Sequence, residues 1–237
     1  MIPLANLRTR NLQPELMDNP TLEDQRFIGS LIGLRRVNTF TGSARILLPD
    51  LLAAAKAKAP EPLRVLDVAC GGGDIAIKLW KQLRARGFSA EFHGCDLNPL
   101  ASEHATAQAD AQHADLTFFP LNILTDPIPP DYDVIMTSLF LHHLSRDEAL
   151  NFLQAAAAAA PTLLIHDLIR SPAGYLLAQV GTRILGCNDV CHEDGPRSVA
   201  GAFTLAEAKA LTNDAGLQTA TVTPKFPFRF LLKWRQQ

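Results

Sequence analysis

Three groups of residues in this sequence are equipped for chemistry. The first is a glycine run, Gly71-Gly72-Gly73, set between the apolar stretch Val65-Leu66-Asp67-Val68 and Asp74-Ile75-Ala76-Ile77. Glycine there lets the backbone turn sharply and approach a ligand with no Cβ in the way, while the N–H groups of a following helix face anything anionic. The second is Asp96, which ends the next apolar run about 20 residues beyond the glycines, the spacing at which a carboxylate meets two ribose hydroxyls. Together these describe a site for a nucleoside-containing ligand. The third group comprises His142, His143, His166 and His192, with Asp167 and Asp194 beside the last two. A neutral imidazole suits removal of a phenolic proton near neutral pH, although packing or capping would account for any one of these histidines equally well.

The elements that must position these groups follow from periodicity. From Leu63 onward, short apolar runs at 63–68, 90–95, 115–120, 132–138 and 161–167 alternate with helical stretches, the pattern of βα units and a parallel sheet. Asp74 opens a helix that Gly87 stops, and Ser145 with Glu148 makes a capping box for 146–160, ended by Pro161. Thr204 with Glu207 caps a helix ending at Gly216. Two further strands are predicted at 217–223 and 228–234; joined by a short turn containing Pro224 and Pro227, they must be antiparallel. The expected architecture is α/β: a seven-stranded, mostly parallel sheet with helices on both faces, an antiparallel C-terminal hairpin and an N-terminal helical lid. The lid is assigned to 1–60, where Thr21 and Asp24 cap one helix and Pro49 opens another. The remainder, 61–237, carries an insertion at 168–203, read as an apolar helix followed by a polar loop at 187–198.

Composition narrows the function. The chain has 237 residues, with Lys plus Arg 22 against Asp plus Glu 24 and a formal net charge of −2, so nothing draws it globally to a phosphate backbone. Nucleic acid is not an expected partner. Residues 1–6 lack a basic segment followed by an apolar run, and the apolar stretches elsewhere are interrupted, so neither secretion nor a membrane span is expected. The four cysteines, Cys70, Cys95, Cys187 and Cys191, suit reduced thiols in a cytoplasmic protein. Cys187-x3-Cys191-His192 hints at metal, but a fourth ligand at suitable spacing is missing.

Leu66-Asp67-Val68-Ala69-Cys70-Gly71-Gly72-Gly73 resembles motif I of class I (Rossmann-like) S-adenosylmethionine-dependent methyltransferases, with Ala69 in place of the first glycine. The likeness extends over about residues 63–235. It implies S-adenosylmethionine as cofactor and S-adenosylhomocysteine as product. By the same resemblance Asp67 orients the loop and the methionine amino group, and Ala69, Cys70 and Gly71 pass along the methionine portion. Asp96 binds ribose with Leu97 beside adenine, Asn122 and Ile123 border the adenine, and Ser138 lies near the methionine end. Gly71-x-Gly73-x-x-Ala76 also fits a dinucleotide fingerprint, so an NAD(P)-dependent oxidoreductase is the competing reading, and a non-catalytic cofactor-binding partner a third.

Segment 138–141, Ser-Leu-Phe-Leu, lacks the Asn/Asp-Pro-Pro-aromatic motif of amino methyltransferases. The layout resembles methyltransferases of ubiquinone and menaquinone biosynthesis, and more closely a bacterial group associated with type III polyketide synthases. His166-Asp167-Leu168-Ile169-Arg170-Ser171 and His192-Glu193-Asp194-Gly195 carry the latter likeness. It implies methylation of a small aromatic acceptor, O-methylation of a phenolic or polyketide-like molecule ahead of C-methylation, with His143, His142, His192 and His166 as candidate bases. Ubiquinone-type enzymes have carboxylates in the segment equivalent to 139–143; here there are none, so metal-independent transfer is expected. The insertion is expected to cover the acceptor or, alternatively, to form a homodimer contact. Arg35, Arg36 and Asn38 are candidates for the cofactor carboxylate, with a solvated helix face as the alternative.

Overall fold

The computed structural model describes residues 7–236; residues 1–6 of the expected lid and Gln237 lie outside the described residues. In chain order the elements are α1 (Asp24–Thr41), α2 (Ser43–Lys58), β1 (Leu63–Val68), α3 (Asp74–Arg84), β2 (Ala90–Asp96), α4 (Pro99–Ala111), β3 (Leu116–Pro120), β4 (Val134–Ser138), α5 (Arg146–Ala159), β5 (Thr162–Leu168), α6 (Pro172–Ile184), α7 (Asp189–Gly201), α8 (Leu205–Asp214), β6 (Thr221–Lys225) and β7 (Arg229–Arg235). Short 3-10 turns span Leu16–Asp18 and Leu141–His143.

The strands form one sheet in the order β3-β2-β1-β4-β5-β7-β6. β1 to β5 run parallel, while β7 inserts antiparallel between β5 and β6, pairing His166 with Leu231 and Leu168 with Arg229. Alternation along each strand sends side chains to opposite faces. Leu66, Val68, Ile135, Leu163, Ile165 and Phe230 meet Phe152 of α5 and Leu211 of α8 on one face. Val65, Val134, Met136, Leu164 and Leu231 meet Leu47 and Leu51 of α2 and Leu79 and Leu83 of α3 on the other. α2, from the stretch assigned to the lid, therefore packs with the sheet, whereas α1, α6 and α7 lie over the carboxyl edge of the strands.

Both capping boxes form as expected, at Ser145/Glu148 and Thr204/Glu207. Four local expectations are corrected. Pro49 does not open α2 but lies inside it, the helix beginning at Ser43 after left-handed Gly42. Thr21 bonds Asn19 instead of capping α1, whose first residue follows Glu23. The final hairpin starts at Thr221, so Pro224 falls within β6, which an outer edge strand tolerates because no neighbour requires its N–H. The polar loop at 187–198 is the helix α7: the Asn188 side chain accepts from Cys191 N–H at 3.1 Å and starts it, and Pro196 is carried inside. No helix among the described residues is long and apolar enough to cross a membrane.

Candidate active site

The glycine loop is held open by three left-handed residues in close succession, Ala69 (φ 52°), Gly71 (φ 53°) and Gly73 (φ 71°). A Cβ on Gly73 would lie 2.8 Å from the Phe118 ring, and one on Gly94 2.5 Å from the same ring, so both glycines let the loop and β2 close onto β3. Asp96 fixes the loop from across the sheet: its Oδ2 accepts from Gly71 N–H at 2.9 Å and its Oδ1 from Asn98 N–H at 3.0 Å.

Above this edge lies a cavity of about 850 Å³. Asp67, Ala69, Cys70, Gly71, Asp96, Leu97, Asn122, Ile123 and Ser138 all line it, so the structure brings together every residue expected around the cofactor. Leu97 is 67% exposed, an apolar side chain beside the ribose-spaced carboxylate, and Ile123 and Leu124 border the same end. The Asn122 amide oxygen accepts from Leu124 N–H at 3.1 Å, which folds the segment back on itself and leaves one lone pair toward the cavity.

The lining is also acidic. Asp67 and Asp96 are both pushed above the usual carboxylate range by burial, and Asp74 is raised to about 6 by burial despite its bond from Asn38. Asp67 Oδ1 and Ser138 Oγ are buried without a hydrogen-bond partner. Crowded carboxylates and an orphaned acceptor suit a ligand bearing positive charge. Opposite them, Arg229 is buried on β7, its guanidinium lowered to about 10 by desolvation, and donates to Ser43 Oγ at 2.7 Å. Ser43 Oγ passes the chain on to Asn38, which donates to Asp74. Arg229 carried no sequence signal, being one of three cations in β7 with Lys233 and Arg235. Of the N-terminal candidates only Asn38 reaches the cavity; Arg35 bonds Gln108 and Arg36 bonds the carbonyls of Leu185 and Gly186 at the surface.

The histidines separate into two pairs. His142 and His143 line the cavity; His166 and His192 do not. His142 is buried, with Nδ1 2.6 Å from Asp167 Oδ1 and its N–H donated to Asp167 Oδ2 at 3.0 Å. His143 faces Asp18 through Nδ1 at 3.1 Å; burial alone would lower it, but Glu15 and Asp18 hold it up at about 9. Asp167, which burial would raise, is held below its ordinary range by His142 and its hydrogen bonds. His166 sits behind the sheet edge with neither ring nitrogen bonded and is driven down to about 3 by burial, with Arg229 adding to the effect. His192 Nε2 is likewise buried without a partner. Asp194 takes no position at the reacting centre by hydrogen bonding; it accepts from Leu16 and Met17 N–H and so fixes the strap at Leu16–Asp18. Sequence reasoning missed Glu15 and Asp18, which this strap delivers to the two histidines.

Cys187 and Cys191 do not form a metal centre with His192: their sulfurs rest on the carbonyls of Gly33 and Ser30 of α1. A Cβ on Gly33 would lie 2.6 Å from Cys191 Sγ, so this glycine lets α1 settle against α7. All four cysteines are free thiols.

With this geometry in place, residues 65–160 match the family model described as a methyltransferase domain. The match covers about two fifths of the chain, and the fold around it is of the class I, Rossmann-like type. The chain shares its fold with an O-methyltransferase family 2 protein from Planctomyces limnophilus in complex with apigenin (TM-score 0.54, 20% identity, 83% of this chain and 62% of that one). It also resembles magnesium protoporphyrin IX methyltransferase from Synechocystis PCC 6803 with bound S-adenosylhomocysteine (0.55, 16%, 93% and 91%) and the DszA carbon methyltransferase (0.61, 16%, 82% and 54%). The chain thus spans less than two thirds of the length of the first and third of these proteins. No curated protein sequence matches it. The domain implies S-adenosylmethionine as cofactor, which the carboxylate-lined cavity fits through its sulfonium and ammonium groups. The dinucleotide oxidoreductase reading falls away, because the sheet ends in an antiparallel β7 where that fold carries a parallel sixth strand.

Proposed function

We propose that this methyltransferase transfers a methyl group to the oxygen of a small, largely apolar acceptor of phenolic or polyketide-like type. The observation carrying this reading is that the cavity bordered by the candidate cofactor residues is lined also by the apolar Leu34, Val37, Leu177 and Phe228 and by His142 and His143. Its volume is near the upper end of the ~300–1,000 Å³ typical of ligand sites, enough for a nucleoside cofactor and a second small molecule. The apigenin complex of the O-methyltransferase neighbour supports an aromatic acceptor, and the carbon methyltransferase neighbour keeps C-methylation as the second reading.

When bound, S-adenosylmethionine supplies a methyl group on a sulfonium that leaves as a neutral thioether. On this reading Asp67 and Asp74 hold the ammonium, Gly71 brings its backbone against the methionine chain, and Asp96 adds ribose hydroxyls to its existing bonds. Leu97, Ile123 and Asn122 border the adenine, and Ser138 stands at the methionine end. The strap Leu16–Asp18 with α1, α6 and α7 acts as a lid that keeps water from the acceptor, and holding the two reactants in line accounts for up to ~7–11 kcal/mol of the barrier. His142, its Nδ1 beside Asp167, meets the acceptor hydroxyl and takes its proton, while His143, held up at about 9 by Glu15 and Asp18, stands beside it as a hydrogen-bond donor. Expected in solution is micromolar binding of S-adenosylmethionine and S-adenosylhomocysteine by isothermal titration, followed by methyl transfer to members of a phenol panel. Affinity for NAD or NADP alone would reject the cofactor assignment, and cofactor binding without turnover of any acceptor would favour a non-catalytic partner.

A further inference from the structure

The imidazoles of His142 and His143 lie against each other, centroids 4.4 Å apart and planes tilted by 34°. Each commits Nδ1 to a carboxylate, His142 to Asp167 and His143 to Asp18. With Nδ1–H donated in this way, Nε2 of each ring is the nitrogen turned away from its carboxylate partner, and in His143 the proton held there leaves when a cation binds. Both Nε2 atoms point at one carboxylate: His142 Nε2 is 3.7 Å from Glu15 Oε1, and His143 Nε2 is 3.9 Å from Glu15 Oε2. These separations are too long for hydrogen bonds. They are a few tenths of an ångström wider than the roughly 3–3.5 Å between two donors sharing one metal ion with bonds near 2.0–2.2 Å. One donor atom from each of the three residues lies within 4.8 Å of the others. Glu15 is oriented from behind by Ser198 Oγ, which donates to Oε1 at 2.6 Å.

Every member of the trio therefore has an outer partner that sets its direction: Asp167, Asp18 and Ser198. Carboxylate–histidine pairs of this kind are how metal sites fix the tautomer and aim of their imidazoles. We propose that Glu15, His142 and His143 bind a divalent transition-metal cation through the two Nε2 atoms and a Glu15 oxygen, with the remaining coordination positions open to the cavity. Two imidazoles and one carboxylate select borderline cations such as Zn²⁺, Co²⁺ or Fe²⁺ over the oxygen-seeking Mg²⁺ and Ca²⁺. The carboxylate that segment 139–143 lacks is supplied by the strap, more than a hundred residues earlier in the chain, which reverses the expectation of metal-independent transfer.

This inference rests on the methyl-transfer reading for its purpose. With both Nε2 atoms on the cation, the cation takes over the role given to His142: an acceptor hydroxyl entering an open position is acidified and gives its proton to water before the cover closes. The oxygen lone pair then forms the bond to the methyl carbon while the electrons of the breaking C–S bond remain on sulfur. The cation changes neither charge nor ligands from the chain.

The test is titration of chelator-treated protein with Co²⁺ and Zn²⁺, following Co²⁺ by its visible absorption. Binding of one equivalent is expected, with d–d bands of a nitrogen and oxygen site and no thiolate charge-transfer bands. Glu15→Gln should weaken it at least a hundredfold, and Asp18→Asn, a change at an exposed outer partner, roughly tenfold. Titration of the same samples with S-adenosylhomocysteine reports folding and the cofactor site separately, and it is expected to be unchanged in Asp18→Asn. Absence of stoichiometric binding to the wild-type chain, thiolate bands, or affinity indifferent to Glu15→Gln would each overturn the metal site, leaving the trio a histidine–carboxylate cluster and the cofactor assignment untouched.

Discussion

Asp96 shapes the loop and is proposed to hold ribose, and the two tasks can be separated. It already accepts from Gly71 and Asn98 N–H, so it shapes the loop, and its remaining lone pairs are those a ribose would use. Asp96→Ala should weaken S-adenosylhomocysteine binding by at least tenfold in a calorimetric titration. Asp96→Asn, which keeps one acceptor, should fall between it and wild type; equal affinities in all three would remove Asp96 from the ribose role. Asp74 gives a pH signature. Its folded value of about 6 means that below this pH it is protonated, and a ligand ammonium must displace that proton to gain an ionised partner. Cofactor affinity should therefore rise from pH 5 to about pH 7, by at most about tenfold per unit from this one group, and then level off. Asp74→Asn should flatten the profile; an unchanged slope would assign it to Asp67 or to another group.

At the scale of elements, Arg170 shows how the insertion is tied to the sheet. Its side chain is 1% exposed and donates to both Glu207 oxygens and to Ala202 O, while the same Glu207 completes the capping box that starts α8. Glu207→Gln keeps the shape but removes the charge that a carboxylate, itself 42% exposed, turns to a buried guanidinium, and a loss of about 1.5–3 kcal/mol in urea unfolding is expected. Thr204→Ala, which removes only the cap, should cost about 1 kcal/mol. Equal losses would mean that the ion pair adds nothing beyond the cap. These elements were legible in the sequence because each advertised itself locally, through short apolar runs in the strands and Ser/Thr-x-x-Glu before α5 and α8. α7 was hidden by Gly195-Pro196, a pair that ordinarily breaks helices, and by a start at Asn188 with no apolar stripe after it. The candidate cofactor residues that line the cavity were legible for the same reason as the strands, since each stands at the end of a strand or in the loop just past it. Glu15, Asp18 and Arg229 were not: a carboxylate in a proline-flanked strap, or one of several cations in a strand, has no period to betray it, and only tertiary closure shows what it faces.

For the whole molecule, the cover is made from two distant stretches, one before β1 and one after β5. The strap bonds α7 through Asp194 accepting from Leu16 and Met17, Asn11 N–H donates to Ala200 O at 3.0 Å, and Arg10 donates to Gly201 O. Cofactor at a hundred times its dissociation constant should stabilise the fold by about 2.7 kcal/mol, seen as a raised melting temperature. Hydrogen exchange should slow in Leu16–Asp18 and α1 as well as in the glycine loop; protection confined to the loop would mean that the cover takes no part in binding. The buried Cys187 and Cys191 offer a second gauge, since thiol reagents can reach them only when α1 lifts from α7, and saturating cofactor should retard their labelling.

The close fit of Gly33 beneath Cys191 has a temporal side as well. The two residues are separated by most of the chain, so α1 can rest on α4 through Phe27 and Leu31 but lacks this second wall until α7 has been synthesised. During synthesis the glycine loop exists before its roof does, and the cover is among the last parts of the molecule to assemble. Acquisition of a closed cofactor chamber is therefore a late marker of a finished chain.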